Sequence, residues 1–349
     1  MKARILLALC SAPLILYGGA GQATIHNVPS EYSTIQAAIT ATVDSDTVLV
    51  ARGIYMENID FLGKDILVAS QYLYDRDSNT VVTTVIDADS NGSVVKMISD
   101  ESSAAILMGF TLKNGAGSLY QPGYGTFYVG GGVFLIGSSP TIVCNVITQN
   151  TAPDGGAGIF SDGGTPSICN NIIVENTTLT ASGCGAGMLI KNADGGEIFR
   201  NFIQYNHARH GGGIAVFQSS CEITRNVISN NTAIYYGGGI RIYSNAAPVI
   251  INNTISHNSG YPNMGGGVEV EGGSAPVFMN NIVSFTASGG GFLTIGMHAV
   301  ALSYNLFWEN TGGNYINIPP GAGDITGDPA YVGGTPFDYH ITATSAARD

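Results

Sequence analysis

Residues 211–236 read GGGIAVFQSSCEITRNVISNNTAIYY, and residues 237–258 continue GGGIRIYSNAAPVIINNTISHN. One plan is written twice: a glycine triplet, an alternating apolar stretch, then two more apolar stretches, the first followed by a registered Asn and the second by another. Working outward, the glycine-rich triplet recurs from Gly130, Gly156, Gly185, Gly211, Gly237, Gly265 and Gly289, at spacings of 26, 29, 26, 26, 28 and 24 residues. A first Asn column follows at Asn145, Asn171, Asn201, Asn226, Asn253, Asn281 and Asn305. A second stands five residues later at Asn150, Asn176, Asn206, Asn231, Asn258 and Asn310, with Thr286 breaking the series. Residues 103–114 read as a further coil, with Gly109 and Asn114 in these two positions.

Such a unit holds two or three short strands and cannot bury its apolar face alone, so it must stack on its neighbours. If each unit is one coil, equivalent strands pair in parallel about 4.8 Å apart and like residues form columns. Asn in such a column can bond the Asn above and below and also supply the left-handed backbone of a corner. The glycine triplet fits another sharp corner. A hexapeptide period and a leucine-rich signature are both missing, and a propeller needs a longer repeat. The pattern predicts an all-β, right-handed parallel β-helix over residues 24–349, with repeat coils over 103–310 and a closing segment over 311–349.

The chain has 349 residues, of which 48 are Gly and only 11% are charged, with a formal charge of −12. Lys2 and Arg4 precede an apolar run from Ile5 to Tyr17 and a stretch of small residues. This pattern predicts a cleavable signal peptide over 1–23, and therefore an exported protein, extracellular or periplasmic. Loss of Lys2 and Arg4 moves the charge from −12 to −14, which argues against nucleic acid. No later segment is long and apolar enough to insert in a membrane, and a monomer is expected. Cys144, Cys169, Cys184 and Cys221 lack zinc-site spacing, so no metal site is assigned; buried and disulfide-bonded states stay open.

Residues 29–70, PSEYSTIQAAITATVDSDTVLVARGIYMENIDFLGKDILVAS, resemble the N-terminal cap of bacterial pectin-lyase-like β-helix proteins. The resemblance implies a short amphipathic helix near 33–42, apolar at Ile35, Ala38 and Ile39, covering the open solenoid end. GDPAYV (327–332) and DYHITATSAARD (338–349) resemble how such chains close. That superfamily holds lyases, hydrolases, epimerases and adhesins, so the resemblance implies fold more than activity. The aspartate clusters of its polygalacturonase-like members are missing; Arg241-Ile242-Tyr243 lacks both the Lys and the companion carboxylates that hydrolysis needs.

Columns then suggest a site. After each glycine triplet the second and fourth residues should point outward. The fourth-residue column is Ile136, Asp162, Lys191, Phe217, Tyr243, Glu271 and Ile295; the second is Phe134, Phe160, Leu189, Ala215, Arg241, Glu269 and Leu293. Together they describe one exposed face, either a groove for a sugar chain or a solvated surface with Asp162–Lys191 and Arg241–Glu269 ion pairs. Five of the eleven Lys and Arg beyond the signal lie between 191 and 241, and Arg200 and Arg225 should be neighbours on one outer face. The loop Asn206-His207-Ala208-Arg209-His210 faces Tyr235-Tyr236 of the next coil, across the glycine corner from Lys191. An aromatic insertion at 115–129 carries Tyr120, Tyr124, Phe127 and Tyr128, either a ligand rim or a cover.

On this reading the partner is a polysaccharide. Lys191, His207, Arg209 and His210 are candidate catalytic residues of a lyase-like or epimerase-like reaction on a uronate glycan, rather than of a hydrolase. Asp162, Phe217, Tyr235, Tyr236, Arg241, Tyr243 and Glu271 are candidate substrate contacts. No cofactor is required, and Ca²⁺ would enter only with a lyase. The alternative is a non-catalytic structural or adhesin-like surface protein.

Overall fold

The computed structural model describes residues 23–348 apart from 179, 297–298 and 335–336. The expected signal segment thus lies outside the described residues, except for Ala23. Each coil runs through three strands, and the stacked coils make three long parallel sheets of 10, 11 and 11 strands. The first sheet holds the strands that follow the glycine corners, such as Val133–Ile136, Ile159–Asp162, Met188–Lys191, Ile214–Phe217 and Ile240–Tyr243. The second includes Thr141–Val143 and Ser167–Cys169, and the third Val146–Thr148 and Ile172–Val174. The solenoid is about 11 turns long, more than the glycine triplets mark, because the early coils turn without them.

Registers hold residue for residue. Ile142 pairs with Ile168 and Ile173 with Ile203, so inward side chains form apolar columns with 0% exposure. At roughly 25 cal/mol per Å² of apolar area, this continuous core is the main stabiliser. Helix α1, Ile35–Ala41, closes the N-terminal end and buries Ile35, Ala38 and Ile39, as expected. Thr34 Oγ1 accepts from Ala37 N at 3.1 Å, and the Glu57 carboxylate takes the N–H groups of Ile35 and Gln36 at 2.9 Å each. Two short helices, Tyr72–Asp75 (α2) and Ser78–Thr83 (α3), cover the outside of the second and third sheets with Tyr72 and Val81. At the far end the hairpin Tyr331–Gly333/Asp338–Ile341 folds back along the flank, where Tyr331 bonds Ser284 at 3.0 Å and Phe337 meets the His257 ring. All four described cysteines are buried.

Both Asn columns are hydrogen-bonded ladders. Asn171 N and Nδ2 donate to Asn201 Oδ1 at 2.9 and 3.1 Å, and Asn171 Nδ2 also donates to Ile142 O at 2.8 Å. The first ladder starts where Phe110 N donates to Asn145 Oδ1 and ends where Asn305 Nδ2 meets Asp324. One expectation is corrected. The left-handed residues are not the ladder Asn but their predecessors: Cys144, Asn170, Arg200, Arg225, Asn252, Asn280 and Tyr304, with φ between 54° and 60°. Gly109 and Asn114 occupy this preceding position too, one residue earlier than expected. The reason is directional: the amide must point into the coil to reach its partners, so the sharp turn falls on the residue before it. That residue's side chain points out of the coil, to solvent at most coils and into the cluster with Tyr72 and Val81 at the buried Cys144. Arg200 and Arg225 accordingly lie exposed on consecutive coils.

The ladder therefore carries an asymmetric prediction. Asn226→Ala leaves the Asn201 N–H without its acceptor and takes the amide donor from Ile198 O, while Asn253 Oδ1 keeps the main-chain N–H of residue 226, and it should destabilise by about 3 kcal/mol. Asn252→Ala, at an exposed left-handed position, should cost only about 1 kcal/mol. Thermal unfolding of the two variants beside the parent checks the order.

Candidate functional site

The outward columns of the first sheet are in the expected register: Ile136, Asp162, Lys191, Phe217 and Tyr243 follow one another, as do Phe160, Leu189, Ala215 and Arg241. They do not form one exposed face. Phe134, Phe160, Leu189, Ala215, Glu269 and Leu293 of the second-residue column are all buried. The chain folds back over them at each glycine corner. Gly156, at φ +57°, leaves space for Phe160, and a Cβ there would stand 2.7 Å from the Phe160 Cβ. A fourth, four-stranded sheet lies beside this corner: Thr151–Ala152, Thr177–Thr178, His207–His210 and Thr232–Tyr236. The segment read as the loop 206–210 is thus mostly strand.

The aromatic insertion at 115–129 forms an antiparallel hairpin, Ser118–Tyr120 against Phe127–Val129. It covers the first strands and also walls a cavity. Tyr120 packs on Phe160 at 5.0 Å, and the hairpin walls a half-open cavity of about 230 Å³ together with Phe160, Lys191, Phe217 and Tyr243. Lys191 is 8% exposed in its midst. Its Nζ donates to Tyr124 Oη at 2.8 Å and Tyr120 Oη at 3.3 Å, and stands 3.9 Å from the Asp162 carboxylate. The ammonium also lies 5.0, 5.3 and 5.9 Å from the ring centres of Tyr120, Phe217 and Phe160. Burial and the neighbouring Asp162 push the Tyr120 phenol well above its ordinary range, so it stays a donor, and it hydrogen-bonds Asp162. The cavity thus offers one ammonium, phenolic hydroxyls and ring faces: groups that hold a carboxylate, hydroxyls and the flat side of a pyranose.

Arg241 pairs with Glu271, not with Glu269. Its Nε donates to Glu271 Oε1 at 2.8 Å, and Nη2 reaches the same oxygen. Glu269 sits under the glycine corner at 0% exposure and takes the Gly265 N–H at 3.1 Å, whereas Glu271 in the fourth-residue column has the freedom to reach the guanidinium. Arg241 stacks on Tyr243 at 4.3 Å and Tyr236 at 5.1 Å, and its Nη1 lies 3.5 Å from Cys184 Sγ.

The expected catalytic set is divided. Lys191 lines the cavity, but His207, Arg209 and His210 belong to the fourth sheet and are not among its walls. His207 is exposed, Arg209 lies over Tyr235 at 4.4 Å, and His210 stacks on Tyr236 at 5.0 Å. Burial, then Arg241 and Arg209, lower the His210 pKa to about 4. Among the expected contacts, Phe217 and Tyr243 line the cavity, Asp162 stands behind Lys191, and Arg241 and Glu271 stand behind Tyr243; Tyr235 and Tyr236 lie outside. The polar and aromatic walls not assigned to the site in advance include Tyr120, Tyr124, Phe127, Asp154, Ser182 and Cys184. Only the aromatic density of the insertion pointed to any of them. Among the described residues no three His, Cys, Asp or Glu converge to hold a metal, and no helix is long and apolar enough to cross a membrane.

The family sequence model for "Right handed beta helix region" matches residues 125–282 and 180–319. Among solved structures, the A-module of the mannuronan C-5 epimerase AlgE6 of Azotobacter vinelandii is similar, at 14% identity, with 84% of this chain and 94% of that chain covered and a TM-score of 0.38. No curated protein matches the sequence.

Two outcomes follow from this geometry. Lys191→Ala removes the ammonium that ties the hairpin down, so amides of 118–129 should exchange with solvent on the order of tenfold faster. His210 titrates near 4 folded against 6.5 for the free side chain. The unfolded chain therefore binds its proton first, and His210 should subtract stability progressively as pH falls from about 6.5 to about 4, a loss absent in His210→Phe.

Proposed function

The chain belongs to the right-handed β-helix family, and on that scaffold we propose that it is an exported protein that binds an extracellular or cell-wall polysaccharide in the cavity around Lys191. The ligand is a uronate-containing glycan, with a sugar carboxylate on the Lys191 ammonium and a ring against Phe217, Tyr243 and the hairpin tyrosines. One observation carries this reading. A nearly buried ammonium and a set of aromatic rings meet in one half-open cavity, large enough for about one sugar ring, in a chain of formal net charge −12. Aromatic walls with a few convergent polar groups are the ordinary make-up of a sugar site. Export rests on the charged and apolar run at 1–23.

Turnover of the bound ring, lyase-like or epimerase-like, requires a neutralised carboxylate and a group that takes the carbon-bound proton. Lys191 suits the first role, and the Tyr124 oxygen, 2.8 Å from Lys191 Nζ, suits the second as a phenolate that becomes the phenol on taking the proton. Binding without turnover, as in an adhesin, has its own support: the Lys191 ammonium is already bonded to two phenols and faces Asp162, an arrangement suited to holding a ligand.

Calorimetry against galacturonate, mannuronate and guluronate oligomers, with unsaturated-product absorbance followed with and without Ca²⁺, tests both. Phe217→Ala and Tyr124→Ala should each weaken binding about tenfold. Neutral glucans binding as well as uronates, or unaltered affinity in both variants, would end the assignment. Product absorbance or a changed uronate stereochemistry separates the catalytic form from the adhesive one.

A further inference from the structure

Behind the cavity wall lies a buried carboxyl that the binding reading does not use. Glu269 is paired in register with Arg241 on the neighbouring strand and has 0% exposure. Its Oε2 accepts the Gly265 N–H at 3.1 Å, while Oε1 has no hydrogen-bond partner among the described residues. Arg241 is tied elsewhere: its Nε donates to Glu271 at 2.8 Å, and its plane lies 4.3 Å from the centre of the Tyr243 ring. Tyr243 lines the cavity and meets Phe217 edge-on at 5.1 Å, and Phe217 in turn touches the Lys191 ammonium at 5.3 Å. A short chain of contacts thus runs from Arg241 to the cation that the proposed ligand would meet.

We propose that Glu269 is a proton-operated positioning residue for this cavity: neutral, it leaves Arg241 to Glu271 and the Tyr243 ring; ionised, it draws the guanidinium toward itself and weakens binding of an anionic sugar. The idea rests on the glycan reading for its ligand and on local geometry for its mechanism. The groups around the pair are few. Arg241 and Tyr243 come from Ile240–Tyr243, Glu271 from the same strand as Glu269, and only Leu293 from the paired position of Gly290–Ile295. The corner adds the Gly237 and Gly265 amides and Cys184, and the fourth sheet adds Tyr236 and His210.

One guanidinium therefore faces two carboxylates. With Glu271 ionised, Arg241 is already balanced, and a second charge on the fully buried Glu269 would be surplus. An unbonded oxygen is tolerated on a neutral carboxyl and costly on an anion. Burial pushes Glu269 up to about 7, and Glu271 works in the same direction, against the Gly265 amide, Arg241 and the Gly237 amide, which favour the anion. The carboxyl is thus mostly protonated below that value and ionised above it. Once ionised, Glu269 competes with Glu271 for Arg241 and adds a negative charge behind the wall of a site for negative ligands, so both effects weaken binding as pH rises.

The test follows the Arg241 Nε–Hε resonance and the affinity for oligogalacturonate and oligomannuronate from about pH 5.5 to about pH 8.5, in the full chain and in Glu269→Gln. The parent's arginine signal should shift with a midpoint near 7, and affinity should fall on the order of fivefold across it, with both flat in Glu269→Gln. An arginine signal that ignores pH, or the parent's profile persisting in the variant, overturns the proposal. If Glu269→Gln does not fold, Glu271→Gln decides. Glu269 would then hold Arg241 alone, and the midpoint must drop below the parent's. Sugar that fails to bind at any pH while the arginine still titrates would sink the glycan reading and leave the switch standing.

Discussion

A buried amide must find its hydrogen bonds inside the protein, and here the ladder Asn find them on the coils before and after their own, except at Asn258, where Thr286 interrupts the second ladder. Asn171 takes Asn201 on one side and Ile142 O on the other, and Asn201 repeats the arrangement with Asn226 and Ile168 O. A slipped coil would leave both amide atoms and a main-chain N–H unsatisfied at 0–1% exposure. The ladders thus lock the register that the apolar columns, being non-directional, would only favour. Everything outside the coil inherits that register, including the spacing of the side chains around the cavity.

The two kinds of corner divide the work. At the Asn corners the left-handed residue points outward and tolerates many identities, Arg200, Glu175, Tyr205 and Phe285 among them, at some backbone cost. At the first and third positions of the glycine corner the chain passes so close to its neighbours that no side chain fits, whereas the middle position takes a methyl at Ala157 and Ala186. Gly213 lies against Gly239 O, where a Cβ would stand 2.6 Å away, and against the Asn231 amide. The same close pass buries the second-residue column. An alternating strand next to that corner therefore has one open outward row and one covered row.

The candidate site sits where these constraints loosen. The hairpin of 115–129 makes few main-chain pairs with the solenoid and is held chiefly by side chains, through Tyr120 on Phe160 and Lys191 on both tyrosine hydroxyls. Lys191 joins lid to floor while supplying the cavity's positive charge. Arg241 does the equivalent work one layer back, with its charge consumed by Glu271 and its face spent on Tyr236 and Tyr243. That difference separates a cation a ligand can meet from one that shapes the wall.

The repeat by itself determined the coil, the strand register and both ladders, because in a solenoid a residue's neighbours are set by adding one period to its number. Lys191 beside Asp162 and Phe217 was legible for that reason, as were the inward Ile columns and the α1 cap. What lies outside the period was decided by the tertiary structure alone. The hairpin folds over Lys191 across some seventy positions (Tyr120 to Lys191); Arg241 chooses Glu271 over the register partner Glu269; and His207 and Arg209 join a fourth sheet, with only His210 near Arg241. In each case the deciding quantity is steric room at the glycine corner or the reach of a long side chain, and neither repeats along the chain.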